Sequence, residues 1–223
     1  MDRYFRNIGA ISAEEQQKLK QFSICIAGLG GLGGYVLELL ARLGIGSITG
    51  IDSDCFETAN LNRQLLSTSD NIGTSKVSAA AERVRLINSE TKFTPCFGKI
   101  TAGNAPELLR GHDIVIDALD NIPDRLMISS CCSGLNLPLI HGAVNGWSGQ
   151  TAAVYPGDGL LEKLYTIKFT QKRPPSVLAF TPCAVASLQV SLALRILLEK
   201  EKPEPNILYY LDLLTCSVTE LRL

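Results

Sequence analysis

A glycine-rich hexapeptide between two apolar segments is the feature that most restricts how this 223-residue chain can fold. Phe22–Ala27 (FSICIA) has the composition of a buried strand, and Gly28–Gly33 (GLGGLG) follows it directly. The next segment, Gly34–Leu43, carries valine and leucine at helical spacing. A G-x-G-x-x-G motif between a strand and a helix is typical of nucleotide-binding α/β domains, because its glycines permit a tight turn and bring backbone close to phosphate.

The segments that follow continue to alternate between strand-like and helix-like patterns. We predict further strands at 47–51, 92–96, 113–118 and 138–140, and helices at 75–87, 105–109 and 123–135. This alternation predicts an α/β fold of the Rossmann-like, doubly wound type, with a mainly parallel sheet covered by helices on both faces.

The pattern changes after about residue 148. Strand-like segments at 150–155 and 208–211 enclose a helical segment at 184–198, which predicts an antiparallel C-terminal extension of the sheet. Between them, residues 157–180 lack periodicity, and we expect a flexible crossover segment there. These elements together predict a single domain over residues 1–223.

Charge and cysteine content restrict the class of protein further. With 21 Lys and Arg against 22 Asp and Glu, the chain offers no electrostatic reason to bind nucleic acid or an anionic membrane. Its charged N-terminus lacks the apolar core of a secretory signal, and the apolar stretch at 184–198 falls short of the roughly 20 residues that span a bilayer. The 7 cysteines form no CxxC pair, so we expect reduced thiols and a cytoplasmic location.

Charged residues follow the predicted strands at the edge where open α/β sheets hold ligands. Asp52 ends the second strand, where an acid can accept hydrogen bonds from ribose hydroxyls. Arg63 and Lys76 can neutralise phosphate charge, and Asp120, after the fourth strand, suits Mg²⁺. Nucleotidyl transfer requires such a set of two cations and a carboxylate, whereas hydride transfer does not.

Taken together, these motifs resemble the ThiF/MoeB/HesA family, the bacterial relatives of ubiquitin-activating enzymes. The glycine motif alone is weakly specific, but its combination with N-L-x-R-Q, a lysine and an Asp-Asn pair, in this order, is highly specific. The resemblance covers essentially the whole chain. The matching stretches are RYFRN (3–7), GLGGLG (28–33), Asp52-x-Asp54, NLNRQ (60–64), IGTSK (72–76), DALDN (117–121), HGAVNGWSGQ (141–150) and SLQVSLALRIL (187–197).

The resemblance implies a binding site for ATP and Mg²⁺. Glycine-loop amides would contact the nucleotide, Asp52 its ribose, and Asp120 the metal ion. The catalytic residues it implies are Arg63, Lys76 and Asp120. The full set implied to bind the nucleotide is Gly28, Gly30, Gly31, Gly33, Asp52, Asn60, Arg63, Gln64, Lys76, Asp120 and Asn121.

The resemblance also implies a homodimer with shared active sites. Family members typically use an N-terminal arginine that reaches the ATP of the partner subunit, and Arg6 matches that position. Asn7 stands where the family has glutamine. The alternative for Arg6 is an exposed residue that forms a salt bridge.

The implied reaction is ATP- and Mg²⁺-dependent adenylation of a carboxylate. In most members this is the C-terminal Gly-Gly of a ubiquitin-like sulfur carrier protein in thiamin or molybdopterin/tungstopterin-type cofactor biosynthesis. An ionised carboxylate is already a nucleophile, so the site needs positioning and charge neutralisation rather than a general base. We accordingly expect structural roles for His112 and His141.

Three other functions remain open from the sequence. The carboxylate acceptor can instead be a small molecule or be carried on tRNA, although the near-zero net charge argues mildly against tRNA. An NAD(H)-binding oxidoreductase or sensor would explain the glycine motif and Asp52 but would leave Arg63, Lys76 and Asp120 unused. A pseudoenzyme scaffold fits poorly with intact phosphate-binding residues.

Two departures from the family pattern involve cysteine. Many members bind zinc through two CxxC pairs, but the corresponding stretches here contain only Cys216, so we expect no zinc. Cys183 precedes a helix and is a candidate thiol for a covalent intermediate, the alternative being a buried packing role. We place Cys131 and Cys132 in the core. Trp147 is expected either to anchor the carrier or to lie at the dimer contact.

Overall fold

Eight strands and seven helices form the part of the chain that the computed structural model describes, residues 3–166 and 176–223. The strands are β1 (Ser23–Ala27), β2 (Ser47–Asp52), β3 (Lys92–Phe97), β4 (Ile114–Asp117), β5 (Leu139–Asn145), β6 (Ser148–Val154), β7 (Ile207–Asp212) and β8 (Ser217–Arg222). The helices are α1 (Ala13–Leu19), α2 (Gly31–Leu43), α3 (Lys76–Ile87), α4 (Ala105–Leu109), α5 (Ile122–Gly134), α6 (Leu160–Leu164) and α7 (Phe180–Leu197).

All eight strands belong to one sheet with the order β3-β2-β1-β4-β5-β6-β7-β8. The first five are parallel to one another, whereas β6, β7 and β8 are antiparallel to their neighbours. The prediction of a doubly wound, mainly parallel sheet with an antiparallel extension is confirmed. The chain order reverses between β1 and β4, and open sheets of this type bind ligands beyond the carboxyl ends of strands at such a point.

The sheet is covered on both faces because its central strands are apolar on both sides. Along β1, Ile24 and Ile26 belong to one buried cluster, which includes α2, α3 and α7. Cys25 and Ala27 belong to a second buried cluster, on the opposite face, which includes α4, α5 and α6. The period-2 alternation of a strand therefore fixes which helices lie on each side.

Helix α7 begins earlier than the pattern at 184–198 predicted. It is 18 residues long with a mean hydropathy of 1.5, so length and composition alone would let it cross a membrane, which corrects our expectation for this stretch. However, half of it is buried within the domain. The buried Gln189 at its centre donates hydrogen bonds to the backbone carbonyls of Asp117 and Ile140. In this fold α7 is a core helix on the sheet.

Three elements escaped prediction because their signals are weak. Helix α1 is short and buries only Gln16 and Leu19, although its capping box between Ser12 and Glu15 is a recognisable start signal. Strand β8 is exposed throughout, so burial imposed no alternating pattern on it. It is held by pairing with β7.

Helix α6 lies inside the 157–180 segment that we expected to be flexible. Its Leu160 and Leu161 are fully buried against the sheet, so this part of the crossover is an ordered, packed element. Two adjacent leucines at the start of such a short helix give no periodicity from which to predict it. The rest of the predicted flexible segment includes residues 167–175, which lie outside the described residues.

The contact between Gly142 of β5 and Gln189 of α7 leads to a prediction about stability. A Cβ on Gly142 would lie 2.5 Å from the amide of Gln189, which is buried and held by its hydrogen bonds to the backbone of Asp117 and Ile140. We expect Gly142→Ala to lower the free energy of unfolding by about 1–3 kcal/mol, as overpacking does. Denaturant unfolding measures the change. The control is Gly134→Ala, where a Cβ meets nothing within 4 Å, and a cost there equal to that at Gly142 would contradict the prediction.

Candidate active site

The glycine-rich loop is packed so tightly at the carboxyl ends of β1 and β4 that side chains are excluded from two of its positions. A Cβ on Gly33 would lie 1.9 Å from the carbonyl oxygen of Gly28, and a Cβ on Gly28 would lie 2.7 Å from that of Ala118. Gly28 also has a φ of +94°, a left-handed conformation that glycine adopts without strain. Since the first amides of α2 lack helical partners, the loop presents N–H donors to the crevice.

Asp52 holds this loop in place from the end of β2. Its Oδ2 accepts a hydrogen bond from the Leu29 amide at 2.7 Å, and its Oδ1 accepts one from the Asp54 amide at 2.8 Å. The residue predicted to bind ribose therefore also ties the glycine-rich loop to β2. Each carboxylate oxygen keeps a second lone pair, so ribose binding is compatible with these contacts.

Lys76 is a buried cation at the start of α3, with 6% of its surface exposed. Its Nζ lies 2.8 Å from Oδ2 of Asp54 and 3.9 Å from Oδ1 of Asp52. The hydrogen bond from Lys76 holds the pKa of the Asp54 carboxyl below its usual value. A lysine buried in this way requires an anionic partner, and an anionic ligand is able to take the place of Asp54.

Arg63 and Gln64 lie beside the glycine-rich loop. A Cβ added to Gly31 would lie 3.6 Å from Cγ of Arg63. A Cβ added to Gly30 would lie 3.6 Å from Nε2 of Gln64. Arg63 donates through Nη1 to the backbone of Ala59. Gln64 is buried, and its Oε1 has no hydrogen-bond partner among the described residues. A buried acceptor without a partner beside the glycine-rich loop fits a ligand group that donates a hydrogen bond.

Asn60 and Asn121 shape the loops rather than pointing freely into the crevice. Oδ1 of Asn60 accepts a hydrogen bond from the Glu57 amide at the start of the short turn Thr58–Asn60. Asn121 is the N-cap of α5 and also donates to Oδ1 of Asp120 at 3.3 Å. The carboxylate of Asp120 is exposed at the carboxyl end of β4, where the sequence placed it.

Beneath Asp120 lies a buried polar cluster that the motif analysis missed. Nδ1 of His141 lies 2.7 Å from Oδ2 of Asp117, and both side chains are fully buried. Nε2 of His141 lies 3.2 Å from the hydroxyl of Tyr165 and 3.1 Å from the amide of Gln150. Arg125 donates to the same hydroxyl at 2.8 Å. An aspartate within the apolar strand DIVIDA was the available signal, since a buried carboxylate requires partners.

Burial lowers the pKa of His141, although its hydrogen bond to Asp117 acts in the opposite direction. The neutral imidazole therefore donates from Nδ1 to Asp117 and accepts at Nε2. His112 is also a structural residue, because its ring bonds to Thr49 and to the backbone of Leu109.

Arg6 is exposed and far from the glycine-rich loop of its own chain. The neighbouring Tyr4 is buried against Gly44, which ends α2 at the opposite end from that loop. A helix of this length separates its two ends by about 20 Å. Arg6 and the predicted phosphate-binding residues of the same chain are therefore not brought together.

The cysteines, all within the described part of the chain, are free. Cys183 lies in the first turns of α7 and is exposed, so the alternative of a buried packing role is wrong for this residue. Cys132 is buried and Cys131 half-buried, as expected. Among residues 3–166 and 176–223, no group of three or more His, Cys, Asp or Glu is arranged to hold a metal ion.

Trp147 lies at the turn between β5 and β6 and is 46% exposed. Its ring centroid is 5.0 Å from that of Phe180, which is also exposed. Together the two rings form an apolar patch. Next to this patch, the Asn62 amide donates to the carbonyl oxygen of Val177.

A doubly wound sheet with a glycine-rich loop, a buried lysine and an exposed carboxylate at its switch point is typical of nucleotide-binding α/β proteins. The chain belongs to the ThiF family, whose model matches residues 4–223. A sulfur carrier protein adenylyltransferase from Thermus thermophilus is 32% identical over 234 residues, which cover 99% of this chain and 86% of that protein. The molybdopterin-synthase adenylyltransferase of Escherichia coli is 30% identical over 230 residues, covering 100% and 92%.

Solved structures agree with the fold. E. coli MccB in its structure with ATP matches with a TM-score of 0.86 at 24% identity, covering 100% of this chain and 71% of that chain. The family membership and the two relatives place the chain in the class of ThiF/MoeB-type adenylyltransferases.

The buried histidine predicts how stability depends on pH. Because the pKa of His141 is lowered in the folded chain, the unfolded chain binds the proton more readily, near pH 6.5. The contribution of His141 to the free energy of unfolding should therefore be complete above about pH 6.5. At lower pH the free energy of unfolding should decrease, by up to about 1.4 kcal/mol per pH unit. The groups facing the imidazole are Asp117, Arg125, Tyr165 and Gln150.

Urea unfolding between about pH 5 and 8 measures this slope. His141→Gln should remove it, whereas His112→Gln should retain it, and these are the 2 histidines of the chain. An unchanged slope in His141→Gln would show that another group titrates.

Proposed function

We propose that this enzyme uses ATP to adenylate the C-terminal carboxylate of a ubiquitin-like sulfur carrier protein ending in Gly-Gly. The observation that carries the proposal is the cluster at the carboxyl ends of β1, β2 and β4, where the bare glycine loop adjoins Arg63, Gln64 and the Asp54–Lys76 pair. The names of the two adenylyltransferase relatives support a carrier substrate in sulfur-dependent cofactor synthesis.

The residues present fit an ATP molecule with its divalent cation. Gly28–Gly33 and the start of α2 supply amides for phosphate oxygens, and Nε2 of Gln64, a donor, lies beside Gly30. We propose that Asp52 binds the ribose and that Asp120 binds the cation. Mg²⁺, when bound with ATP, would neutralise phosphate charge, and carboxylate and phosphate oxygens are the ligands it prefers.

Lys76 and Arg63 provide the protein's own positive charge. We propose that Lys76 exchanges Asp54 for a phosphate oxygen when ATP binds, because its buried ammonium must retain an anionic partner. The carrier carboxylate then attacks the α-phosphorus, and the bond from that phosphorus to the bridging oxygen of the β-phosphate breaks. Pyrophosphate leaves, with Lys76 and Arg63 stabilising the charge that develops on it.

The proposed reaction needs no general base. The attacking carboxylate is ionised at neutral pH, and His141 is fully buried and bonded to Asp117 rather than facing the crevice. The site would act by positioning its substrates and by charge complementarity. Cys183 is exposed at the start of α7, and its role as a covalent thiol stays part of the proposal.

We also propose that residues 1–223 form one adenylation domain that works as a cytoplasmic homodimer. The placement of Arg6 supports the dimer, since the residue is far from its own glycine loop yet exposed for contact with a partner. The patch of Trp147 and Phe180 is exposed to meet either the carrier or the partner subunit.

ATP–pyrophosphate exchange with a Gly-Gly-ended carrier tests the reaction. Asp120→Ala should nearly abolish exchange without unfolding the chain, and Arg63→Ala should raise the barrier by about 3 kcal/mol, in line with the loss of one preorganised charge contact. Matched controls are Asp70→Ala and Arg85→Ala, which remove exposed side chains of the same types. If no carrier supports exchange and the protein binds NADH but not ATP, the proposed function is wrong.

Subunit mixing tests the role of Arg6. If Arg6 acts on the ATP of the partner subunit, Arg6→Ala and Arg63→Ala chains should each be nearly inactive alone but form mixed dimers with one intact site. Equal mixing should then restore about a quarter of wild-type exchange, since half of the dimers are mixed and each has one of two sites. Absence of any recovery, with mixed dimers verified by affinity tags, would place Arg6 outside the partner's site.

A further inference from the structure

The backbone N–H and C=O of Leu119, the residue before Asp120, are bonded to side chains instead of to secondary structure. The amide of Leu119 donates to Oδ1 of Asp117 at 3.1 Å, and its carbonyl oxygen accepts from Nη2 and Nε of Arg125 at 2.7 and 3.3 Å. Leu119 lies between β4 and α5, where neither element supplies these bonds. Asp117 and Arg125 therefore fix both polar groups of the residue that precedes Asp120.

The same two side chains are connected to α6 through Tyr165. The hydroxyl of Tyr165 accepts from Nη1 of Arg125 at 2.8 Å, and it lies 3.2 Å from Nε2 of His141. His141 in turn bonds through Nδ1 to Oδ2 of Asp117. A closed set of hydrogen bonds thus runs from Leu119 through Arg125, Tyr165, His141 and Asp117 and back to Leu119.

The charges in this cluster favour a single arrangement. Asp117 and His141 are fully buried and Arg125 is 8% exposed, so unpaired groups would be costly here. The Arg125 guanidinium lies 3.9 Å from the Asp117 carboxylate, which balances one negative charge with one positive charge while the imidazole stays neutral. A network in which every member has a partner holds its geometry rigidly.

We propose that Arg125, Asp117 and Tyr165 are positioning residues that fix the Asp120 carboxylate for the reaction, with Tyr165 coupling α6 to the Asp120 loop. The proposal rests on the proposed function for the role of Asp120. Tyr165 itself contacts neither Leu119 nor Asp120 through any hydrogen bond in the described structure, so its effect must pass through Arg125 and His141.

Tyr165→Phe tests the coupling because it removes one hydroxyl and keeps the ring. We expect kcat for ATP–pyrophosphate exchange to fall about tenfold with little change in the KM for ATP, since small misplacements of catalytic groups are costly while binding is retained. Hydrogen–deuterium exchange of the amides at 119–121 should become faster, and this readout does not require activity. Arg125→Lys keeps the positive charge but lacks the guanidinium fork, and it should show the same pattern.

Tyr155→Phe is the matched control. The Tyr155 hydroxyl donates to the carbonyl oxygen of Pro203 at 2.7 Å, away from Asp120, so the variant also loses one hydrogen bond. It should leave kcat and the exchange of amides 119–121 as in the wild type. If Tyr165→Phe behaves like Tyr155→Phe in both measurements, the coupling is wrong. A third outcome separates the two proposals. If the wild type shows no ATP–pyrophosphate exchange but Tyr165→Phe still speeds hydrogen–deuterium exchange of the 119–121 amides, the proposed function is wrong and the coupling is supported.

Discussion

The close contact between Gly33 and Gly28 is the constraint on which the rest of the site depends. A Cβ at Gly33 would lie 1.9 Å from the Gly28 carbonyl oxygen, so only glycine lets the chain leave β1 and enter α2 at this angle. This turn aims the N-terminus of α2 at the crevice, and Asp52 locks it through the Leu29 amide. Arg63 and Gln64 lie beside Gly31 and Gly30, where a Cβ would meet them at 3.6 Å.

The charged residues at the crevice form one ion pair that can change partners and one buried cluster that cannot. Lys76 is paired with Asp54, whose side chain is 64% exposed, so the buried lysine can release it for an anionic ligand. The cluster of Asp117, Arg125 and His141 is buried and mutually bonded, so its charges stay in place. An exchangeable partner suits Lys76, for which we propose a phosphate ligand. A fixed cluster suits residues that hold the neighbouring Asp120 loop.

Much of the fold followed from local patterns. The apolar strands, the glycine motif and the amphipathic helices gave the parallel sheet and its order of elements, because burial on both faces leaves strong periodicity. The missed elements lack that cue: β8 is exposed throughout, α6 is short, and Leu160 with Leu161 has no helical spacing. Asp52, Arg63, Lys76 and Asp120 could be predicted as site residues because they come after β2 or β4, whose carboxyl ends share one edge of the sheet.

The sequence by itself determined the fold class, the nucleotide loop and the family resemblance, since these depend on residue types at fixed spacing. Only the tertiary structure decided that Asp54 pairs with Lys76, that Cys183 is exposed, and that Tyr165 reaches His141 from α6. Tyr165 and His141 are far apart in the chain, and nothing local specifies their contact. It arises because α6 packs on the sheet face behind β4 and β5, where the hydroxyl and the imidazole meet.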